Sequence, residues 1–399
     1  MTVMSRQSLH VAQISFFSDP TGRSPAQLLD AWPTLVDVAE AVCRSGIRVS
    51  VVQASSHSEH IARRGAHYYF QPFGAGQRTV PENGALGGLL QTLAPDLFHV
   101  HGLGFPRDVL SLASQVPGVP IILQDHANRP PRIWRRALWR RQMSVAAGIT
   151  FCASEQARPF AEAGLLNPGT QQYEIPESTS RFSPGDRDEA RRLTGLKGDP
   201  AVLWIGHLNA NKDPLTVLKG ISAAVRELPR LQLFCCFGTA PLLSDVQHRI
   251  ASDPNLRDRV HLLGRVPHEK IEQLMQAADL FVLGSHHEGS GYSLIEALAC
   301  GLPPVVTNIP SFRSLTGAGT VGMLWPCGDS HALCEALCSV ARRADHRMRA
   351  AVRAHFDLEL SLDALGHKLA AMYQHAHERK RGHSGIAGSV SADTVMGSL

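Results

Sequence analysis

Two glutamates on either side of a glycine-containing loop are the residues of this chain best suited to chemistry. Glu288 and Glu296 are separated by seven residues, and the segment between them begins with Gly289-Ser290-Gly291. A carboxylate repels phosphate but accepts hydrogen bonds from hydroxyl groups. We therefore expect the two glutamates to bind hydroxyls of a sugar and of a ribose, on either side of a phosphate group.

The sequence around these glutamates predicts a strand, a loop and a helix. Residues 279–284 form a short apolar run, which is typical of a buried strand. Residues 292–300 have the pattern of a helix, with Ser290 expected as its N-cap. A helix that begins after a glycine loop directs backbone N–H groups and the positive end of its dipole toward an anion. The pattern therefore favours a sugar nucleotide as the ligand.

A second group that faces phosphate is predicted after an earlier strand. Residues 201–206 have the pattern of the strand, and Lys212 precedes a helix that opens at Asp213-Pro214. A lysine at that edge supplies a point charge for a diphosphate. Considered alone, Lys212 is better explained as a solvated surface lysine.

Short apolar runs alternate with amphipathic stretches along most of the chain, which predicts an α/β protein of two doubly wound domains. We expect a first domain over residues 1–184, a second over 185–360, a helix over 361–379 that could pack back on the first domain, and a disordered tail over 380–399. Ligands of such sheets bind beyond the carboxyl ends of the strands, and a cleft between two domains is the expected site. The predicted strands cover residues 10–17, 47–54, 96–102, 119–124, 148–154, 201–206, 231–238, 259–264, 279–284 and 303–307.

Composition argues against several classes of protein. Lys and Arg number 39 against 35 Asp and Glu, and a net charge of +4 is too small to indicate a nucleic-acid partner. The eight cysteines include no C-x-x-C pair, which is typical of reduced core residues in a cytoplasmic protein. The N-terminus does not look like a signal peptide, and no apolar stretch approaches a membrane span. We expect a cytoplasmic protein, at most peripheral to the inner face of the membrane.

Together these segments resemble the family 4 retaining glycosyltransferases, whose fold is the GT-B arrangement of two Rossmann-like domains facing across a cleft. The resemblance covers most of residues 9–373 and is most specific around the two glutamates. It implies that Glu288 contacts the transferred sugar, Glu296 the ribose and Lys212 the donor diphosphate. It also implies a run of residues that supply backbone N–H groups to the donor: Gly289, Ser290, Gly291, Tyr292, Ser293 and Leu294.

One donor-binding position departs from the family pattern. His207 stands where the family usually has arginine, so a group that titrates near neutrality replaces a permanent charge. We expect His207 to bind the donor phosphates, as a cation when it is protonated.

The first half offers weaker candidates. His126 follows the predicted strand 119–124 and matches a family histidine close to the reacting sugar, although a structural loop histidine is the alternative. His99 and His101 are rivals at the neighbouring strand end. Gly22 and Arg23 lie in a loop that replaces the Gly-Gly loop common in the family, where contact with donor or acceptor and a plain turn are equally consistent.

The resemblance implies transfer of a sugar from a nucleoside diphosphate sugar to a hydroxyl of a glycan or glycolipid acceptor, with retention of configuration, in glycan, polysaccharide or glycoconjugate synthesis. His126, Glu288 and Lys212 are the expected catalytic residues. No cofactor and no metal is required, and the D-x-D sequence of residues 186–188 is interpreted as a helix start. The alternatives are another GT-B enzyme, such as a sugar-nucleotide epimerase or a phosphorylase, or a catalytically inactive protein that binds nucleotide sugars.

A basic segment with two tryptophans, Arg132 to Gln142, has two interpretations. It can lie on an anionic membrane surface or meet a lipid-linked acceptor. Alternatively, it is a surface helix whose Trp134 and Leu138 pack inward.

Overall fold

The structure is a computed structural model that describes residues 8–72, 85–167 and 169–389. The described residues form two compact units. The first contains the residues up to Glu177 together with those from Leu365 onward, and the second is Ser178–Ala364. The chain therefore enters the second unit at Ser178, whereas the sequence placed the boundary after residue 184.

An eight-stranded sheet forms the centre of the first unit. Its strands are β1 His10–Ser15, β2 Arg48–Ala54, β3 Glu59–Arg63, β4 Ala66–Gln71, β5 Leu97–His101, β6 Ile121–Gln124, β7 Gly148–Phe151 and β8 Gln171–Glu174. Across the sheet their order is β3-β4-β2-β1-β5-β6-β7-β8. Among these described strands, β3 runs antiparallel to β4 and the other neighbours are parallel.

Among the residues that the structure describes, six α-helices connect these strands. They are α1 Pro25–Ala31, α2 Pro33–Arg44, α3 Ala85–Leu93, α4 Pro106–Gln115, α5 Arg136–Val145 and α6 Arg158–Glu162, with 3₁₀ turns at Ile133–Arg135 and Ser154–Ala157. Helices α1 and α2 follow one another with one residue between them, but they are separate. Pro33 has no N–H with which to continue α1, so it starts a new helix instead, and Trp32 ends one helix and begins the other.

A six-stranded parallel sheet forms the centre of the second unit. Its strands are β9 Ala201–Gly206, β10 Gln232–Phe237, β11 Val260–Gly264, β12 Leu280–Leu283, β13 Pro304–Thr307 and β14 Met323–Trp325. Their order is β11-β10-β9-β12-β13-β14, with parallel pairing throughout these described strands. From β9 the sheet is extended on one side by β10 and on the other by β12. The loops after β9 and β12 therefore lie at the topological switch point, where ligands of such sheets bind.

The helices of the second unit follow its strands in alternation. They are α7 Arg187–Thr194, α8 Pro214–Ala224, α9 Leu243–Ser252, α10 His268–Ala277, α11 Tyr292–Ala299, α12 Pro310–Leu315, α13 Ser330–Ala341 and α14 His346–Glu359. Strands β12 and β13 are buried along their whole length, and five of the eight residues of α11 are buried. This packing fixes the ends of β12 and α11, and with them the loop that joins the two elements.

A last helix, α15 Leu362–Ser389, belongs to the first unit from Leu365 onward. Its Tyr373 is fully buried, and the Tyr373 hydroxyl lies 2.7 Å from Nδ1 of His99. Gly366 passes so close to Ala41 that a Cβ would lie 2.2 Å from the Ala41 carbonyl oxygen.

The disordered tail predicted from residue 380 is wrong as far as Ser389, which is helical; residues 390–399 lie outside the described residues. A packed helix lengthens by one hydrogen bond per residue without a new nucleus, so low apolar content does not stop it. In the described part of the chain, none of the helices combines the length and the apolar character needed to cross a membrane.

Candidate functional site

The loops after β9 and β12 bring Lys212 and Glu288 into contact. Lys212 Nζ forms an ion pair with Glu288 Oε1, and the two side chains are only 15% and 14% exposed. Charges shielded from water interact more strongly than exposed ones, and each needs its partner. The residues assigned from the sequence to phosphate and to sugar are therefore neighbours that neutralise each other.

Contacts of the Asn211 side chain and backbone join the two loops that carry this ion pair. Its Nδ2 donates to the carbonyl oxygen of His287 at 2.9 Å, and its own carbonyl accepts from the backbone N–H of His286 at 2.8 Å. The ring of His286 in turn lies 3.0 Å from a carboxylate oxygen of Asp213. Asp213 also caps α8 in the left-handed conformation, with φ of 44°. The segment around Lys212 is thus fixed on both sides.

Helix α11 begins at a glycine. Gly291, not Ser290, is the N-cap, with φ of 65°. A Cβ on Gly291 would lie 2.7 Å from the ring of Phe312, so a larger residue does not fit. Glycine has no side chain to cap the helix, so no side-chain hydrogen bond caps the N-terminus of α11. The positive end of the helix dipole therefore lies at this loop without a side-chain cap.

The other residues predicted to supply N–H groups lie around this N-terminus. Gly289 and the buried Ser290 belong to the loop, and Tyr292 is the first residue of α11. Ser293 Oγ is 3.4 Å from the carbonyl oxygen of Ile205, which ties α11 to the end of β9. The next residue, Leu294, is fully buried.

The second glutamate of the motif is paired with a histidine. Glu296 Oε1 lies 2.7 Å from Nε2 of His268, the first residue of α10. The hydrogen bond to Glu296 raises the pKa of His268, and the negative charges of Glu296, Glu269 and Glu272 act in the same direction. The His268 ring also packs on Phe182, with 4.9 Å between ring centroids. Sequence reasoning missed His268, because nothing in the spacing connects it to Glu296.

The ring of His207 accepts a hydrogen bond from the backbone. Its Nδ1 lies 3.1 Å from the backbone N–H of Thr239. With Nδ1 as acceptor, the ring hydrogen resides on Nε2. This geometry leaves Nε2–H as the hydrogen-bond donor that His207 can offer to a ligand.

In the first unit, His126 lies just beyond the end of β6 and is paired with Glu177, which follows β8. Nδ1 of His126 contacts Oε1 of Glu177, and the side chains are 34% and 9% exposed. The His126 ring stacks on His101 at 5.6 Å. Sequence reasoning found His126 and missed Glu177, which no motif indicated.

The rival histidines at the end of β5 face the interior. His99 is fully buried, and burial lowers its pKa to about 3. Burial also lowers the pKa of His101, whose Nε2 is buried without a hydrogen-bond partner among the described residues. Of the three rings, that of His126 is the exposed one.

The loop after β1 is tied to itself. Arg23 Nη1 lies 3.3 Å from Oδ1 of Asp19, whose other oxygen accepts from the Arg23 backbone N–H and from the Thr21 hydroxyl. Gly22 adopts φ of 67° within this turn. Arg23 and Gly22 therefore form a turn organised by Asp19.

Residues 186–188 start a helix, as the sequence indicated. Asp186 is the N-cap of α7 and accepts from the backbone N–H of Glu189 at 2.8 Å. Over residues 8–72, 85–167 and 169–389, no group of three or more His, Cys, Asp or Glu side chains is arranged to hold a metal ion.

Comparison with known sequences matches each of the two units to a family of glycosyltransferases. The profile of the family described as Glycosyl transferases group 1 matches residues 186–355, and that described as Glycosyltransferase Family 4 matches residues 33–166. The chain belongs to the family 4 glycosyltransferases. The first match contains Lys212, Glu288 and Glu296, and the second contains His126.

Relatives within this family are distant. The GDP-mannose:cellobiosyl-diphosphopolyprenol alpha-mannosyltransferase of Xanthomonas oryzae pv. oryzae (strain PXO99A) is 24% identical over 261 residues, covering 63% of this chain and 66% of that protein. The alpha-D-kanosaminyltransferase of Streptomyces kanamyceticus is 27% identical over 297 residues, covering 69% and 76%. The match thus spans just under two thirds of the length of the first relative and about three quarters of the second.

Solved structures share the fold. Anabaena Alr3699/HepE, in complex with UDP and glucose, is similar with a TM-score of 0.62 over 92% of this chain and 99% of that one, at 17% identity. This likeness confirms the predicted GT-B fold class.

The basic segment Arg132 to Gln142 differs at Trp134 from its interpretation as an inward-packing helix. Residues Ile133–Arg135 form a 3₁₀ turn before α5. Trp134 is 69% exposed and Ile133 is 74% exposed, whereas Trp139, which lies in α5, is buried. The prediction that Trp134 packs inward is therefore wrong. Trp139 takes the core position because it lies on the buried face of α5, beside Gln142 and Met143.

Proposed function

We propose that this chain transfers a sugar from a nucleoside diphosphate sugar to a hydroxyl of a glycan or glycolipid acceptor, with retention of configuration. The observation that carries the proposal is the Lys212–Glu288 pair beside the N-terminus of α11, at the switch point of the second sheet. Membership of family 4 supports it. So do the names of a relative that uses GDP-mannose and of a similar structure bound to UDP and glucose.

The paired charges explain how a diphosphate approaches a glutamate. An isolated Glu288 carboxylate would repel the donor phosphates, but the ion pair with Lys212 neutralises it. On binding, the ammonium turns to the diphosphate, and Glu288 accepts hydrogen bonds from hydroxyls of the transferred sugar. Glu296 binds the ribose hydroxyls while His268 holds its carboxylate in place.

Charge develops on the leaving diphosphate during transfer, and three groups stabilise it. They are the Lys212 ammonium, the N-terminus of α11 and Nε2–H of His207. The diphosphate itself accepts the proton of the incoming hydroxyl. Fixed dipoles and correct positioning supply most of the rate under this proposal, with no metal or other cofactor.

A donor screen followed by product analysis tests the function. Thermal shift with UDP- and GDP-sugars identifies the donor, because a ligand that binds the folded form raises its melting temperature. Incubation of that donor with glycan and polyprenol-linked acceptors should give an acceptor-dependent, α-configured product, in the presence of EDTA as in its absence. Donor consumption without acceptor would indicate an epimerase, and consumption only with inorganic phosphate a phosphorylase. Donor binding without turnover across the panel would indicate an inactive binding protein.

We also propose that the basic segment contacts an anionic membrane surface at which a lipid-linked acceptor resides. Six arginines and no acidic residue lie between residues 126 and 154: Arg129, Arg132, Arg135, Arg136, Arg140 and Arg141. Arg132 lies over the Trp134 ring, 5.3 Å from its centroid, so the exposed apolar pair Ile133 and Trp134 is bordered by cations. Such a surface gains about 1 kcal/mol per cation near anionic lipid, and the indole inserts at the interface.

Vesicle flotation tests this contact. The protein should float with vesicles that contain anionic phospholipid and remain behind with purely zwitterionic ones. The variant Trp134→Ser with Arg135→Glu should lose flotation, whereas Arg347→Glu, a matched charge change on α14, should not. Equal flotation of the two variants would contradict the proposed contact.

A further inference from the structure

The carboxyl edge of the first sheet holds a pair whose second member has no assigned role. Glu177 and His126 are 51 residues apart in the chain but belong to the same compact unit, and their side chains are in direct contact. Glu177 is nearly buried, while His126 is partly open to solvent. A carboxylate withdrawn from water needs hydrogen-bond donors, and the imidazole N–H supplies one.

We propose that Glu177 is a positioning residue for His126, and this inference rests on the function proposed above. The carboxylate accepts the hydrogen of Nδ1, which fixes both the ring plane and the tautomer. Nε2 is then left with a lone pair beyond the end of β6, where it accepts a hydrogen bond from a sugar hydroxyl of the substrate. Among the described residues, no hydrogen-bond partner occupies Nε2 of His126.

Of the titratable groups around the His126 ring, Glu177 is the one that acts as its electrostatic partner. From β5, burial lowers the pKa of both His99 and His101, so neither carries a charge against the His126 ring. From the end of β7, burial raises the pKa of the Cys152 thiol to about 12. Asp125 precedes His126, and burial raises its pKa to about 6.

The hydrogen bonds of the Asp125 carboxylate go to the backbone of its own loop and not to the His126 ring. Its Oδ1 accepts from the backbone N–H of Asn128 at 2.9 Å, and Asn128 in turn accepts from the backbone N–H of Leu103 at 3.1 Å. Asp125 therefore shapes the loop that carries His126, whereas Glu177 contacts the imidazole itself.

A double-mutant cycle separates positioning from a structural role. Replacing the carboxylate in Glu177→Gln should lower kcat about 10-fold, and Glu177→Ala about 100-fold, with donor KM nearly unchanged, since a small misplacement of a reacting group costs rate rather than binding. In a His126→Ala background the same changes should have no further effect. Glu174→Gln, in β8 three residues earlier, is the matched control and should retain kcat.

Nitrogen NMR of the histidine ring supplies a readout that does not depend on activity. The wild-type spectrum should show His126 protonated at Nδ1, and the Glu177→Ala spectrum a mixture of tautomers. A wild-type ring protonated only at Nε2, or an equal loss of kcat with and without His126, overturns the proposal. So does a His126→Ala variant with full kcat when Lys212→Met is inactive, which leaves the proposed function standing. If the wild type neither binds nor transfers from any sugar nucleotide, the proposed function fails instead.

Discussion

Glu288 of the second unit and Glu177 of the first each lie in a loop beyond the carboxyl end of a strand, but they have different partners. In the second unit Glu288 is paired with Lys212, and in the first Glu177 is paired with His126. An ammonium group keeps its charge throughout the neutral range, whereas an imidazole changes protonation there. Under the proposed function, the Lys212–Glu288 pair suits constant attraction of a diphosphate, and the His126–Glu177 pair suits a hydrogen bond whose direction matters. The two pairs then divide charge neutralisation and the orientation of a sugar hydroxyl between them.

Removing the fixed charge should have the largest effect. Lys212→Met should lower turnover about 100- to 1000-fold, because under the proposed function the developing charge on the diphosphate loses a cation that stabilises it. Lys212→Arg, which keeps the charge with a different shape, should lose less. Turnover with the donor found by thermal shift is the measurement.

A matched control removes a solvent-exposed pair of the same unit. Glu227→Gln breaks the contact between Glu227 and Arg342, both of which are exposed, and should leave turnover and stability nearly unchanged. Equal losses in Glu227→Gln and Lys212→Met would mean that charge removal acts through general destabilisation.

The strands of the second sheet could be predicted because buried parallel strands are continuous apolar runs. β9 has the predicted bounds, and the other four predicted strands there differ by one residue at one or both ends. Strands β3, β4 and β8 of the first sheet and β14 of the second were missed. β3 and β8 lie at the edges of the first sheet, where exposed and partly exposed side chains leave no apolar run. β4 alternates buried with exposed or partly buried residues, and β14 is only three residues long.

The residues of the candidate site likewise divide into those that the sequence predicted and those that it did not. Glu288 and Lys212 carry recognisable local patterns, a glycine loop and a helix start, so the sequence indicated them. Their supporting partners do not, because Glu177 and His268 reach His126 and Glu296 only through the tertiary fold. Spacing along the chain contains no information on such contacts.

Burial of Asp125 predicts a pH-dependent stability of the first unit. Its pKa is raised from 3.8 to about 6, so the fold favours the neutral carboxyl. The stabilisation is fully present below the lower value and is lost as pH rises through the upper one, up to about 3 kcal/mol in the free energy of unfolding. Asp125→Asn should remove this decline in urea unfolding measured on both sides of the range. The exposed Asp245→Asn should reproduce the wild-type profile; a decline that persists in Asp125→Asn would assign it to another group.

His207 should matter as a neutral donor. His207→Leu removes the hydrogen bond that Nε2–H offers to phosphate and should weaken donor affinity by about 1 kcal/mol, or roughly five-fold. His207→Gln keeps an N–H donor and should lose less. Donor affinity of the wild type that weakens steadily as pH rises would instead identify a cation at this position.

The smallest effect is expected at His268. It forms a histidine–glutamate pair with Glu296 in the second unit, like the His126–Glu177 pair of the first. Its pKa is raised by the hydrogen bond to Glu296, so its stabilisation is complete below the ordinary value of 6.5 and is lost as pH rises through the raised one. Because the His268 side chain is 62% exposed, solvent screening keeps this contribution below about 1 kcal/mol. The difference in unfolding free energy between the wild type and His268→Gln should therefore be small and should shrink as pH rises. A difference that grows with pH would show that the neutral ring stabilises Glu296, and a constant one that the contact with Phe182, rather than charge, holds His268 in place.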